Sequence, residues 1–107
     1  MSNVKLIELP LVVIFWSQEG CPHCETTRPR WEEIAQQWSS CIPSARLRVE
    51  EYEEAATTYH VRSLPTLMIL RFGRASWRKL EGEATSEEIQ RFYEAAAVGM
   101  DCAIGAN

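Results

Sequence analysis

No stretch of this 107-residue chain approaches the ~18 consecutive apolar residues of a membrane-spanning helix. The run Leu11-Val12-Val13-Ile14-Phe15-Trp16 is too short, and it lacks the cleavage pattern of a signal peptide. The expectation is a cytoplasmic protein with no membrane partner. There is no basic excess either: 11 Lys and Arg stand against 15 Asp and Glu, a net charge of −4. That argues against nucleic acid as the main partner, which wants a basic surface, although Arg71, Arg74, Arg78 and Lys79 lie close together. Four cysteines at uneven spacing do not make a disulfide scaffold, and no second closely spaced Cys/His pair accompanies Cys21 and Cys24. A zinc module usually shows such a pair, so no metal is expected. Internal repeats and low-complexity linkers are missing, which leaves 1–107 as a single domain. With hydrophobic residues at 46%, that domain has enough apolar surface for a core.

What is present falls into alternating elements. Leu11 to Trp16 is continuously apolar and predicts a strand buried on both faces. Val4-Lys5-Leu6-Ile7 predicts a short edge strand ahead of it. From Pro22 to about Ser40 the pattern is helical, with Trp31, Ile34, Ala35 and Trp38 on one stripe. Pro22 is tolerated in the first turn, whereas Pro29 inside the helix predicts a kink, with the Glu25 carbonyl losing its donor. Ser39 to Pro43 breaks the helix.

Ala45 to Val49 predicts a strand, and Glu53 to His60 a short helix after a solvated acidic run. Thr66 to Phe72 is a second apolar strand. Gly73 turns it into a return strand over Ala75 to Leu80, and Gly82 ends that strand. Thr85 and Glu88 have capping-box spacing for a final helix striped by Ile89, Phe92, Tyr93 and Ala96, ending near Val98 with Gly99 as stop. Residues 98–107 are expected to be a loose tail. The order implies an α/β fold: one mixed sheet with helices on both faces.

The chemistry is concentrated in Cys21-Pro22-His23-Cys24, between the first strand and the first helix. Two thiols three positions apart face the same way on a first helical turn. Cys21 near the N-cap meets free N–H groups and the positive end of the helix dipole, which favour a thiolate. Cys24, one turn on, is placed to close a disulfide with it. The pattern points to thiol–disulfide exchange, with Cys21 as nucleophile and Cys24 as resolving thiol. His23 stabilises the Cys21 thiolate if it is protonated or donates a hydrogen bond, and a more stable thiolate makes the disulfide more oxidising. Cys41 and Cys102 read as spectators, able to pair with each other or across a dimer.

Several of these residues together resemble the thioredoxin family, over roughly Leu11 to Ala97. They are Phe15-Trp16 before the Cys-x-x-Cys, Pro29 five residues after Cys24, and Leu64-Pro65-Thr66 following Tyr59-His60-Val61-Arg62. Phe72-Gly73-Arg74 at the hairpin and Gly82 before the last helix complete the set. The resemblance implies a thioredoxin-like fold with a shortened amino terminus and a cis peptide before Pro65. That peptide would put the Leu64 backbone beside Cys21 as a shelf for an extended substrate. Trp16 and Gly20 complete the candidate substrate surface.

Further implications are protein disulfides or dithiols as substrates, a thiol reductant or thioredoxin-reductase-like electron donor, no bound cofactor, and a monomer. Pro22-His23 resembles the dipeptide of bacterial periplasmic disulfide oxidases, where glutaredoxins usually have Pro-Tyr. The sequence departs from the family where a buried Asp is usual: Ile14, or Phe15 in an alternative alignment, stands there. That leaves the proton-transfer role to water or to another carboxylate such as Glu50. The loop before Cys21 is also one residue longer, with Gly20 in place of the usual Trp. A glutathione-coupled, glutaredoxin-like reductase and an interaction module with dispensable thiols are the alternative functions.

Overall fold

The axis of the fold is β1 (Leu11–Trp16), and its composition explains why. Six apolar residues in a row leave a strand no side to turn to water, so it must be covered on both faces. The computed structural model describes residues 10–71, 74–98, 100 and 102. In it β1 runs parallel to β2 (Ser44–Arg48) on one side and antiparallel to β3 (Thr66–Arg71) on the other. β4 (Arg74–Glu81) pairs antiparallel with β3, giving the order β2-β1-β3-β4. Ile14 is opposite Arg46 of β2 and Leu67 of β3, and Phe15 is opposite Leu47 and Thr66.

Alternation along the strand then sorts the core into two layers. Val12 and Ile14, with Leu67 and Ile69 of β3, pack with Trp31, Ile34, Ala35 and Trp38 of α1 (Pro22–Trp38). The same layer takes Ile89, Phe92, Tyr93 and Ala96 of α3 (Ser86–Ala96). Val13, Phe15 and Met68 face the opposite way, against Leu47, Val49 and the Ala55, Ala56 and Tyr59 side chains in and just after α2 (Glu53–Thr58). Helices thus cover both faces of a mixed sheet. Wholly buried side chains such as Ile14, Leu67 and Ile89 each contribute about 1.5–3 kcal/mol by leaving water. Trp38 stacks on Tyr93 with ring centroids 6.0 Å apart, joining α1 to α3. Burial pushes the Tyr93 phenol above its ordinary range, and its hydroxyl meets Ser44 Oγ at 2.5 Å.

Element ends follow local chemistry. The capping box of α3 is formed in full: the Glu88 N–H donates to Thr85 Oγ1 at 3.1 Å, and the Thr85 N–H donates to Glu88 Oε1 at 2.8 Å. α2 stops at Thr58 because His60 takes a left-handed backbone (φ 57°), and Lys79 Nζ donates to the freed carbonyls of Tyr59 and His60. β2 begins one residue earlier than the pattern predicts, since Ser44 pairs with Val12. Val49 falls just past β2, though its N–H donates to the Trp16 carbonyl at 2.8 Å. β4 gains a residue at each end through the pairs Arg71–Arg74 and Thr66–Glu81. α1 continues through Pro29 and ends at Trp38, and α3 ends at Ala96.

The Val4–Ile7 strand, the shortened amino terminus, the Phe72-Gly73 turn and the Gly99 stop lie outside the described residues. Beyond α3, Met100 and Cys102 pack against the first core layer, and Cys102 is bonded to Cys41 with Cα atoms 5.8 Å apart. Within the stretch expected to be a loose tail, these two described residues have partners in the core. Of the pairings open to these two cysteines, the structure contains the one within the chain.

Candidate active site

The chain reaches α1 through a short, pinned loop. Ser17 is buried beside the end of β1, and its hydroxyl donates to the Glu50 carboxylate while accepting the Glu19 N–H at 3.2 Å. Arg48 donates to Gln18 and to Glu51 from below. Gly20 then turns the chain with φ +60°, a conformation that strains any residue carrying a Cβ. The next residue, Cys21, is the N-cap of α1, and Pro22 occupies the first helical position, where no N–H is missed.

Cys21 uses its sulfur where other caps use an oxygen. The Cys24 N–H donates to Cys21 Sγ at 3.2 Å, and the Glu25 N–H donates to the Cys21 carbonyl at 3.1 Å. The sulfur therefore sits at the positive end of α1, a setting that favours thiolate over thiol. Cys21 and Cys24 are joined as a disulfide, with Cα atoms 5.2 Å apart. Cys21 retains 8% of its exposure against 2% for Cys24.

Behind the pair lies hydrocarbon. Ile14 is wholly buried in the same layer as Cys21 and Cys24, whereas Phe15 belongs to the opposite layer. Of the two, Ile14 is therefore the one that shares the cysteines' core layer. Glu50 is exposed, and the Ser17 hydrogen bond holds its carboxyl below the usual range. It has neither the burial nor the raised affinity for a proton that a carboxylate behind Cys24 would have.

The polar atoms that do occupy the core near Cys24 come from the helix. Thr27 and Trp31 lie three and seven residues after Cys24 on the buried stripe, and Thr27 Oγ1 and Trp31 Nε1 are buried without a protein partner. Thr27→Val, nearly the same shape without the hydroxyl, is expected to raise stability by about 1 kcal/mol, because an unmet polar group leaves the core. Denaturant midpoints check this. A loss of similar size would instead show that the hydroxyl is satisfied, as by a buried water.

Around the pair, Trp16 is half-buried and carries the Arg28 guanidinium 4.6 Å from its ring centroid, within cation–π range. Trp16, Gln18, Cys24, Glu25 and Arg28 help line a cleft of about 410 Å³. Leu64 packs against both core layers, and the Leu64–Pro65 peptide is cis. The Pro65 carbonyl accepts the Gly82 N–H at 2.8 Å. Two residues on, Arg30 of α1 donates to the Ala84 carbonyl at 2.6 Å. Between these anchors Glu83 reaches His23, with Oε1 2.9 Å from Nδ1.

Cys21 and Cys24 lie in one core layer, and Trp16 and Leu64 pack against it. The His23 ring is engaged by Glu83, and the sulfur takes its hydrogen bond from the Cys24 backbone. Sequence reasoning missed Glu83. It is 60 positions from His23, and nothing in the local pattern marks it. No group of three His, Cys, Asp or Glu side chains among the described residues is arranged to hold a metal. No described helix is long and apolar enough to cross a membrane.

Comparison with known proteins gives a consistent set of relatives. The family model described as Thioredoxin matches residues 2–95. A thioredoxin of Synechocystis sp. is 37% identical over 67 residues, which are 63% of this chain and 62% of that protein. A thioredoxin of Rickettsia bellii is 33% identical over 72 residues, 67% of this chain and 68% of the relative. One from Pseudomonas aeruginosa is 27% identical over 94 residues, 88% and 85% of the two chains. The Synechocystis match thus spans a little over three-fifths of that relative's length. Among solved structures, Fasciola hepatica thioredoxin aligns with a TM-score of 0.73 at 24% identity, covering 88% of this chain and 90% of its own. The germline-specific thioredoxin Deadhead of Drosophila melanogaster gives the same TM-score at 21% identity, covering 88% of each chain. At these identities the two structures speak for the fold.

Proposed function

The chain belongs to the thioredoxin family, and from that premise we propose that it exchanges protein disulfides through Cys21 and Cys24. The observation that carries this reading is the sulfur of Cys21 serving as N-cap of α1 while bonded to Cys24. In the reduced protein the Cys21 thiolate attacks one sulfur of a substrate disulfide. A mixed disulfide forms, and the other substrate sulfur leaves as a thiolate that takes up a proton. Cys24 then loses its proton and attacks Cys21 Sγ. The second substrate sulfur is released, and the Cys21–Cys24 bond closes. The substrate gains two electrons and two protons. A thiol reductant or a thioredoxin-reductase-like donor restores the dithiol, and the same steps in reverse oxidise a substrate dithiol.

The other roles follow. Pro22 starts α1 without sacrificing a donor, and Gly20 sets the sharp turn that delivers Cys21 to the cap. The cis peptide leaves the Leu64 backbone as the edge along which an extended substrate segment pairs, with Trp16 walling the other side. His23 favours the Cys21 thiolate, which places the pair on the oxidising side of a thioredoxin with Gly-Pro between its cysteines. The protein acts as a cytoplasmic monomer and needs no bound cofactor.

The decisive experiment is trapping with Cys24→Ser. This variant keeps the attacking sulfur and cannot resolve the intermediate. Incubated with insulin, it is expected to accumulate a covalent adduct through Cys21 that dithiothreitol removes, read on non-reducing gels and by mass. Failure to form any adduct would count against the exchange reaction.

A further inference from the structure

We propose that Glu83 is a positioning residue that restrains the oxidising power of the Cys21–Cys24 pair by holding His23. The inference rests on the exchange reaction proposed above and concerns its equilibrium. The pair itself is solvent-facing, with side chains 66% exposed for His23 and 43% for Glu83. An exposed contact of this kind adds little to stability. Its consequence comes from its place. His23 lies between the two cysteines, and its ring is the side chain nearest in sequence that can donate to a Cys21 thiolate.

Glu83 is no free surface carboxylate, because the backbone on both sides of it is fastened. The Gly82 N–H is bound to the carbonyl of Pro65, and the Ala84 carbonyl accepts from Arg30 of α1. Ala84 is 2% exposed, and Thr85 is locked into the capping box of α3. The loop therefore presents the carboxylate to His23 from a fixed position.

The effect on the thiolate runs through the imidazole. When neutral His23 carries its proton on Nδ1, the Glu83 carboxylate accepts it and the ring has no second N–H to give a Cys21 thiolate. A less favoured thiolate means a less favoured dithiol, hence a disulfide that oxidises less strongly. Glu83 thus offsets part of what Pro22-His23 confers.

The test is the equilibrium of the Cys21–Cys24 disulfide plus two glutathione with the dithiol plus glutathione disulfide, read by alkylation and mass. Glu83→Gln and Glu83→Ala are expected to move it toward the dithiol by about threefold to tenfold, tenfold being about 30 mV for a two-electron couple. In a His23→Ala background the same substitutions are expected to change it by less than about twofold, with thermal midpoints of the single variants close to wild type. Variants within twofold of wild type overturn the role of Glu83, as does a shift of opposite sign. A shift of equal size without His23 overturns it too. Wild-type protein that fails to equilibrate with glutathione at all would overturn the exchange reaction itself, a distinct outcome.

Discussion

Cys21→Ser protein is expected to lose insulin-disulfide reduction down to background, on the order of a thousandfold or more, because the attacking sulfur is gone. The substitution is clean for a structural reason. Serine is among the best N-cap residues, and its hydroxyl oxygen takes the place where Cys21 Sγ accepts the Cys24 N–H. α1 should start as before, so a loss of turnover reads as lost chemistry and not as a frayed helix. Circular dichroism and the denaturation midpoint of the variant, compared with reduced wild type, verify that point. Turnover of insulin by Cys21→Ser at near wild-type rates would sink Cys21 as nucleophile. Abolished turnover with intact biological function would show instead that the fold serves as a binding module.

The second large effect concerns the other disulfide. The bond between Cys41 and Cys102 spans a sequence separation of 61 and closes most of the chain into a loop. Chain-entropy reasoning assigns a loop of that size about 4 kcal/mol of stabilisation, acting chiefly on the unfolded state. Cys102→Ser is expected to lower the unfolding free energy of the oxidised protein by roughly that amount while insulin reduction stays unchanged. Equal midpoints for wild type and variant under oxidising conditions would show that the bond does not form in solution. Thiols are held reduced in a cytoplasm, so wild-type protein there should have the stability of the variant.

Much of this molecule was legible in the sequence because its strongest signals are local. The unbroken apolar run of β1 requires two covered faces, and the structure supplies α1 and α3 on one and α2 on the other. Thr85 and Glu88 marked the start of α3 to the residue, since a capping box needs only its own four positions. Strand ends were less legible, because pairing sets them: Ser44 is in β2 because Val12 is beside it, and Arg74 is in β4 because Arg71 is opposite. Contacts between distant side chains were not legible at all. Whether Cys41 meets Cys102, and that Glu83 meets His23, depends on how α1, α3 and the loop between β4 and α3 come together. The choice between Ile14 and Phe15 behind the cysteines was likewise a matter of which face each takes. Strand alternation decides that only once one face is known to carry α1.

One consequence of α1 lies in kinetics. The helix has 17 residues, a rod of about 25 Å at 1.5 Å per residue, with Cys21 capping its start and Cys41 just past its end. Sulfur attack on a disulfide needs direct contact, so within one folded chain the two bonds cannot exchange with each other. Any transfer of oxidising equivalents between them must pass through an encounter of two molecules. Without a small thiol to shuttle between them, its rate per molecule therefore rises with protein concentration, and at high dilution the two bonds keep independent redox histories.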